Sequence, residues 1–267
     1  MQLEVVRTPG EGPSRPVDVL LVHGSYCSAS VWQPHVMPFL AAQGYTVHAL
    51  SLRGHGGSQS AVPLARVCLA DYVADLTEAT ERIGRPVAVV GHSLGGAVVQ
   101  WALMSGVRFA GTALLASVPP SGMLMATQRM FWSRPRLWFE LSRIMHAGVG
   151  DADPEILRDG LFDNRVSEEE YRQLAAQFCD ESPLAIQEML GLRWFGASRS
   201  QAGPTLVMGG SRDWLIGEAD VRQTAFWYGT KPVIVRGLSH VMMLDPDWEI
   251  PARLLCEWLD ELAPRDN

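Results

Sequence analysis

The sequence predicts an α/β fold, with a mostly parallel central sheet flanked by helices, on three observations. Several short apolar runs each end in Gly or polar turn residues, as strands buried on both faces of a sheet do. Helix-like stretches lie between those runs, so that strand and helix alternate. One long segment, Pro119 to Gly196, breaks the alternation and holds no convincing strand.

Taken in order, the predicted strands are Val17 to Val22, Thr46 to Leu50, Val87 to Val90, Thr112 to Leu115, Thr205 to Met208 and Pro232 to Val235. All are mainly apolar, rich in β-branched residues, and too short to be helices. The helix-like stretches are Trp32 to Gln43, Leu69 to Ile83, Leu94 to Ser105, Asp220 to Tyr228 and Asp247 to Leu262. The last follows Asp245-Pro246-Asp247-Trp248, a good helix-start signal. A structureless loop as long as Pro119 to Gly196 is rare within a compact domain, so this stretch reads as a small helical unit. It is dense in Met and aromatic residues, including Met123, Met125, Met130, Trp132, Trp138, Phe139, Phe162, Met189, Trp194 and Phe195. Most of these are expected to form the unit's own core, and some to face an apolar pocket. The division that follows is a core domain of residues 1–118 and 197–267 with a helical cap at 119–196. Gly203-Pro204 marks the return to the core.

The chain has 267 residues, which favours one α/β domain with an insertion over two independent domains. Hydrophobic residues at 47% and charged residues at 19% are ordinary for a soluble globular protein. The 22 basic and 29 acidic residues give a net charge of -7 with no basic cluster, so nucleic acid is not an expected partner. The first ten residues lack both a basic stretch and a continuous apolar run. No segment reaches the roughly 18 apolar residues that would span a bilayer. The expectation is a cytoplasmic protein without a membrane partner. Cys27, Cys68, Cys179 and Cys256 are far apart in sequence and are expected to be free thiols. No ligand spacing suggests a metal, and Gly54-His55-Gly56-Gly57-Ser58 lacks the ending of a phosphate loop, so no cofactor is expected.

The chemistry centres on Gly91-His92-Ser93-Leu94-Gly95. A strand that turns this sharply into a helix leaves one serine at the apex, with φ > 0 expected, and glycines on both sides remove Cβ atoms that would clash. Serine is a weak nucleophile until a base and an orienter of that base stand beside it. Asp213 lies just beyond the strand Thr205 to Met208, and His240 just beyond Pro232 to Val235. In open α/β sheets such loops line the ligand crevice, so Ser93, Asp213 and His240 are expected to converge. His23, His55, His92 and His146 are the rival histidines. His23 and His92 suit packing beside the turn, and His55 a structural turn. Asp220, Asp245 and Asp247 are the rival carboxylates, the last two better suited to starting the final helix.

With His23-Gly24-Ser25 after an early strand, Arg53-Gly54-His55-Gly56 after the next, the serine turn and the Asp213 and His240 loops, nearly the whole chain resembles the α/β-hydrolase superfamily. It is most similar to cap-bearing serine esterases. The resemblance implies a serine hydrolase that cleaves a small or medium apolar ester or lactone through an acyl-enzyme. Ser93 would be the nucleophile, His240 the base and Asp213 its orienter. The backbone N–H groups of Ser25 and Leu94 would form the oxyanion hole, with Tyr26 as the alternative should the loop be shifted by one residue. Tyr26, Met123, Trp138 and Val241 are the expected substrate contacts. Some relatives place the acid earlier in the chain, where Leu115 to Pro120 here has no carboxylate. The same triad could serve thioester or carbon–carbon bond hydrolysis, and the fold can also serve as a non-catalytic receptor. A serine at the apex excludes relatives that use an aspartate nucleophile, such as most epoxide hydrolases of this fold. A homodimer is an arrangement that the aromatic content of the cap would support.

Overall fold

The computed structural model describes residues 2–190 and 199–262. Its sheet has seven strands in the order β1-β3-β2-β4-β5-β6-β7. The strands are β1 (Val5–Thr8), β2 (Asp18–Val22), β3 (Val47–Leu50), β4 (Val87–His92), β5 (Gly111–Leu115), β6 (Thr205–Gly210) and β7 (Pro232–Val235). Only β1 runs antiparallel, paired with β3 at the edge. β2, β3, β4 and β5 are buried at every residue, which is why they read as mainly apolar runs and not as alternating ones.

Chain order fixes which side each helix covers. The helices are α1 (Val36–Ala42), α2 (Leu69–Ile83), α3 (Leu94–Met104), α4 (Leu124–Ser133), α5 (Pro135–Ala147), α6 (Pro154–Leu161), α7 (Glu168–Ala175), α8 (Pro183–Leu190), α9 (Arg199–Ala202), α10 (Glu218–Tyr228) and α11 (Glu249–Glu261). From β2 to β3 the chain steps one way along the sheet, and from β3 onward it steps the other way. Right-handed crossovers then put α1 on one face and α2, α3 and α10 on the other. The packing agrees: α11 joins α1, whereas α2 packs on α3, and α9 touches both α3 and α10. The reversal opens a crevice at the carboxyl ends of β2 and β4, whose register pairs Val22 with Gly91.

Two elements depart from the sequence expectation. β1 was not anticipated, since its four residues are only partly buried and alternate weakly. The stretch Trp32 to Gln43 is not one helix: a 3-10 turn at Ala29–Trp32 precedes α1. The break falls at His35, whose φ of -133° and ψ of -62° lie outside the helical region just before α1 begins.

Helices α4 to α8 occupy the segment between β5 and β6. Trp194, Phe195 and Gly196 of that segment lie outside the described residues. Met123, Met130, Phe162 and Met189 are buried, whereas Met125, Trp132 and Phe139 are 66%, 78% and 60% exposed. The internal core thus takes one face of α4 and α5 together with buried residues of α6, α7 and α8, and leaves the outer faces of α4 and α5 exposed. Contacts to the sheet domain come from several places. Arg129 pairs with Asp220, Arg165 reaches Asp247 at 2.6 Å, and Arg134 lies over the Trp214 ring at 3.8 Å.

Candidate active site

Ser93 sits between β4 and α3 with φ 51° and ψ -115°, a conformation that non-glycine residues rarely adopt. The turn survives because its neighbours are glycines. A Cβ on Gly91 would lie 2.6 Å from the Gly95 carbonyl oxygen, and one on Gly95 would lie 2.5 Å from the carbonyl oxygens of Val22 and His23. The Ser93 N–H donates to the Leu115 carbonyl at 3.1 Å, and its own carbonyl accepts from Val118 at 3.2 Å. The strained residue is therefore held at both its N–H and its carbonyl by the end of β5 and the chain just after it. Leu94 opens α3, so its N–H has no partner within the helix.

Asp213 and His240 meet as expected. His240 Nδ1 donates to Asp213 Oδ2 at 2.8 Å, with both side chains buried. Asp213 Oδ1 accepts from the backbone N–H groups of Leu215 and Ile216, each at 2.8 Å. The carboxylate is thus fixed in rotation before the imidazole docks on it. Asp245, a rival acid, instead ties down the loop before His240, accepting from the Ser239 N–H at 3.1 Å and from its hydroxyl at 2.9 Å. Asp220 caps the first turn of α10 and pairs with Arg129, and Asp247 pairs with Arg165. His146 is exposed on α5.

The loop after β2 is a tight turn closed by the Cys27 N–H on the Gly24 carbonyl at 3.4 Å. Ser25 and Tyr26 are its central residues, and Tyr26 has φ 62°. A bulky side chain at such a position is strained. Two contacts hold it. His23 Nδ1 donates to the Gly24 carbonyl at 2.8 Å while His23 Nε2 accepts from the Leu52 N–H at 3.0 Å. Burial, then the nearby His55 charge, takes His23 down to about 3, consistent with this neutral tautomer. The second contact comes from the helical segment, where the Cys179 N–H donates to the Tyr26 carbonyl at 3.0 Å.

Ser93, His240, Ser25, Tyr26 and Val241 open onto one cavity of about 190 Å³. Met123 and Trp138 line it too, so all the expected substrate contacts face the same space. Sequence reading missed Thr127, Leu141 and Ser142, although the signal was there. Met123, Thr127 and Met130 are spaced four and three apart along α4, and Trp138, Leu141, Ser142 and Met145 three, four and seven apart along α5. That spacing is one face of a helix. Among the described residues, no Asp, Glu, Lys or Arg lines the cavity.

A buried ion pair joins the helical segment to the loop after β3. Glu181, from the helical segment, approaches His55 Nε2 at 3.3 Å and accepts from the Tyr72 hydroxyl at 2.6 Å. Burial alone would pull His55 down, but the Glu181 carboxylate beside it and backbone hydrogen bonds raise it above its ordinary 6.5. Burial would likewise raise Glu181, yet His55, Tyr72 and the Ser182 N–H hold it below its ordinary 4.5. The stability His55 contributes is complete below pH 6.5 and is lost as pH rises through its raised value. The Glu181 contribution is complete above pH 4.5 and is lost as pH falls through its lowered value. Melting temperatures of the wild type and Glu181→Gln measured across pH should therefore differ most between about pH 4.5 and 6.5 and converge on both sides. A difference independent of pH would contradict an ionised pair.

Among the described residues, no group of three or more His, Cys, Asp or Glu side chains is disposed to hold a metal ion. Nor is any helix among them long and apolar enough to cross a membrane. All four cysteines are free.

Comparison with known proteins fits this architecture. Residues 19–251 match the model of the "Alpha/beta hydrolase family". Over 158 residues, 57% of this chain, it is 35% identical to epoxide hydrolase A of Mycobacterium tuberculosis. Over 88 residues, 32% of this chain, it is 34% identical to a pyrethroid hydrolase of Sphingobium wenxiniae. The matches span only 47% and 29% of those two relatives. Among solved structures, a thermophilic esterase from Thermogutta terrifontis superposes with a TM-score of 0.74 at 20% identity, covering 98% of this chain and 95% of that one. A bromoperoxidase from Bacillus anthracis gives 0.71 at 22% identity, covering 97% and 96%. At such identities these structures speak for the fold. The family match, which covers most of the chain, accounts for the crevice, the serine turn and the histidine loop together: this protein belongs to the alpha/beta hydrolase family.

Proposed function

We propose that this chain hydrolyses a neutral carboxylic ester or lactone with a small or medium apolar acyl group, through an acyl-enzyme on Ser93. The observation that carries the reading is a serine on a strained turn and an Asp213-held histidine opening onto one cavity whose described lining is mainly apolar and holds no Asp, Glu, Lys or Arg. Ser93 Oγ attacks the acyl carbon as His240 Nε2 takes its proton. Asp213 keeps the imidazole in the tautomer that can do so and stabilises the imidazolium that forms. The N–H groups of Leu94 and Ser25, or of Tyr26 in its place, receive the oxyanion, each such donor being worth about 10²- to 10³-fold in rate. His240 returns the proton to the leaving oxygen, and a water activated by the same base releases the acid.

The helices α4 to α8 act in this reading as a cap that sets substrate size and excludes water. Scaled from the ~150 Å³ apolar cavity that takes up benzene, the space holds roughly eight carbon atoms. Charged acyl groups find no partner among its described lining residues. Opening an epoxide with a carboxylate nucleophile would need an aspartate where this chain has Ser93.

The test is a serine-directed phosphonate, followed by a panel of esters, lactones and thioesters of graded length. The expected result is one phosphonyl adduct per chain, mapped to Ser93, with turnover best on neutral esters of medium length. Ser93→Ala should lose about 10⁶-fold in kcat while remaining folded. An unlabelled wild type, or a Ser93→Ala variant that retains turnover, would overturn the reading.

A further inference from the structure

His92, the last residue of β4, plays no part in the chemistry above, yet its environment is unusually specific. Its side chain is 3% exposed and its Nε2 donates to the backbone carbonyl of His240 at 3.0 Å. Its ring lies 4.9 Å from the His240 ring and meets Trp32 edge-on at 6.4 Å. The other ring nitrogen, Nδ1, is buried without a hydrogen-bond partner and faces Gly24, where a Cβ would come within 2.7 Å of it. One side chain therefore touches the turn that carries Ser93, the loop that carries His240 and the loop that carries Ser25 and Tyr26.

We infer that His92 is a positioning residue, whose Nε2–H holds the backbone of the His240 loop while its flat ring sets the distance between the Ser93 turn and the Gly24 loop. This rests on the assignment of Ser93 as nucleophile and His240 as base. Asp213 fixes the His240 ring at Nδ1, and His92 fixes the same residue at its carbonyl, so the base is held at two points. A purely apolar packing role would be filled better by Phe or Leu, since an unpaired buried nitrogen carries a desolvation penalty. Burial, then the neighbouring His240, takes His92 down to about 3, which keeps it uncharged when His240 becomes an imidazolium during the reaction. Gly24 follows from the same arrangement, because any side chain there would push the ring away.

The experiment compares His92→Phe, which keeps a flat ring and loses the donor, with His92→Gln, whose amide N–H reaches about as far as Nε2–H. His92→Phe should lower kcat by about 10²-fold with KM changed less than twofold, since small misplacements of a catalytic group act on rate and not on binding. His92→Gln should restore most of that rate. Equal losses in the two variants, or a loss confined to KM, would overturn the inference. Should His92→Phe fail to fold, His92→Asn takes its place, its amide being too short to reach the His240 carbonyl. Asn active to the same degree as Gln would then overturn it. Phosphonate labelling of the wild type separates the two readings: an unlabelled wild type removes the Ser93 assignment and this inference together, whereas a labelled wild type with an unimpaired His92→Phe removes this inference alone.

Discussion

On the ester hydrolysis proposed above, Asp213→Asn should lower kcat by about 10⁴-fold while leaving the fold and the cavity in place. The size of the effect follows from what the other carboxylate oxygen is doing. Oδ1 accepts two backbone N–H groups, from Leu215 and Ile216, so the single oxygen of an asparagine is drawn to that position. The amide nitrogen must then face His240 Nδ1 and donate to it. Nδ1 becomes an acceptor, the ring proton moves to Nε2, and the nitrogen that should accept the Ser93 proton is already occupied. Turnover of the preferred ester by the purified variant is the measurement. A loss below about 10-fold would mean that Asp213 does not orient the base. Combined with Ser93→Ala, the substitution should add almost nothing, since residues that act as one unit are not additive.

Arg53→Ala should destabilise the protein by about 3 to 5 kcal/mol, the range for stripping one partner from a buried ion pair. Arg53 follows β3, and its guanidinium grips Asp75 through Nε at 3.0 Å and Nη2 at 2.6 Å while Nη1 reaches Asp71 at 2.8 Å. Its own backbone N–H also donates to Asp75 at 2.9 Å. The Asp75 side chain is 0% exposed and that of Arg53 16%, so water cannot replace the lost partner. Even with Arg53 present, burial leaves the Asp75 carboxyl raised above its ordinary value. Without Arg53, burial acts with little opposition, so the variant should lose stability as pH rises and recover part of it in acid, where Asp75 takes up a proton. Thermal unfolding should show a fall of about 10 °C at neutral pH for a chain of this size. Adding Asp75→Leu should restore much of it, because an apolar residue removes the stranded charge. A fall of under about 1 kcal/mol would show that the pair behaves like an exposed one.

The central strands and the long helices were legible because each obeys one local rule. β2 to β5 are buried on both faces and read as apolar runs, and α2 runs over the same residues, Leu69–Ile83, that its sequence pattern marks. Ser93 was legible for a different reason: only glycines fit around such a turn, and they leave a written trace. Asp213 and His240 could be placed because they follow strands whose carboxyl ends share an edge. β1 escaped because a four-residue edge strand has too little burial to impose a pattern. Glu181 escaped because its partners, His55 and Tyr72, are remote in sequence, and no periodicity links them. His55 was read as part of a structural turn, but its partner could not be named. His92 was read as packing, and what that reading could not supply was the direction of its two ring nitrogens.

The grip of the helical segment on the Tyr26 loop bears on how such a chain could be remodelled. Residues 179–182 do not simply link one helix to the next: Cys179 donates to the Tyr26 carbonyl, Glu181 enters the core beside His55, and the Ser182 hydroxyl reaches the Val67 carbonyl at 2.5 Å. A graft that exchanged everything between β5 and β6 would leave a buried histidine without its counterion and a strained tyrosine without its tether. Transplants that stop short of residue 179 keep both, but they must still supply the Leu161 carbonyl that accepts from the Val241 N–H and the acceptor Asp163 for Arg212.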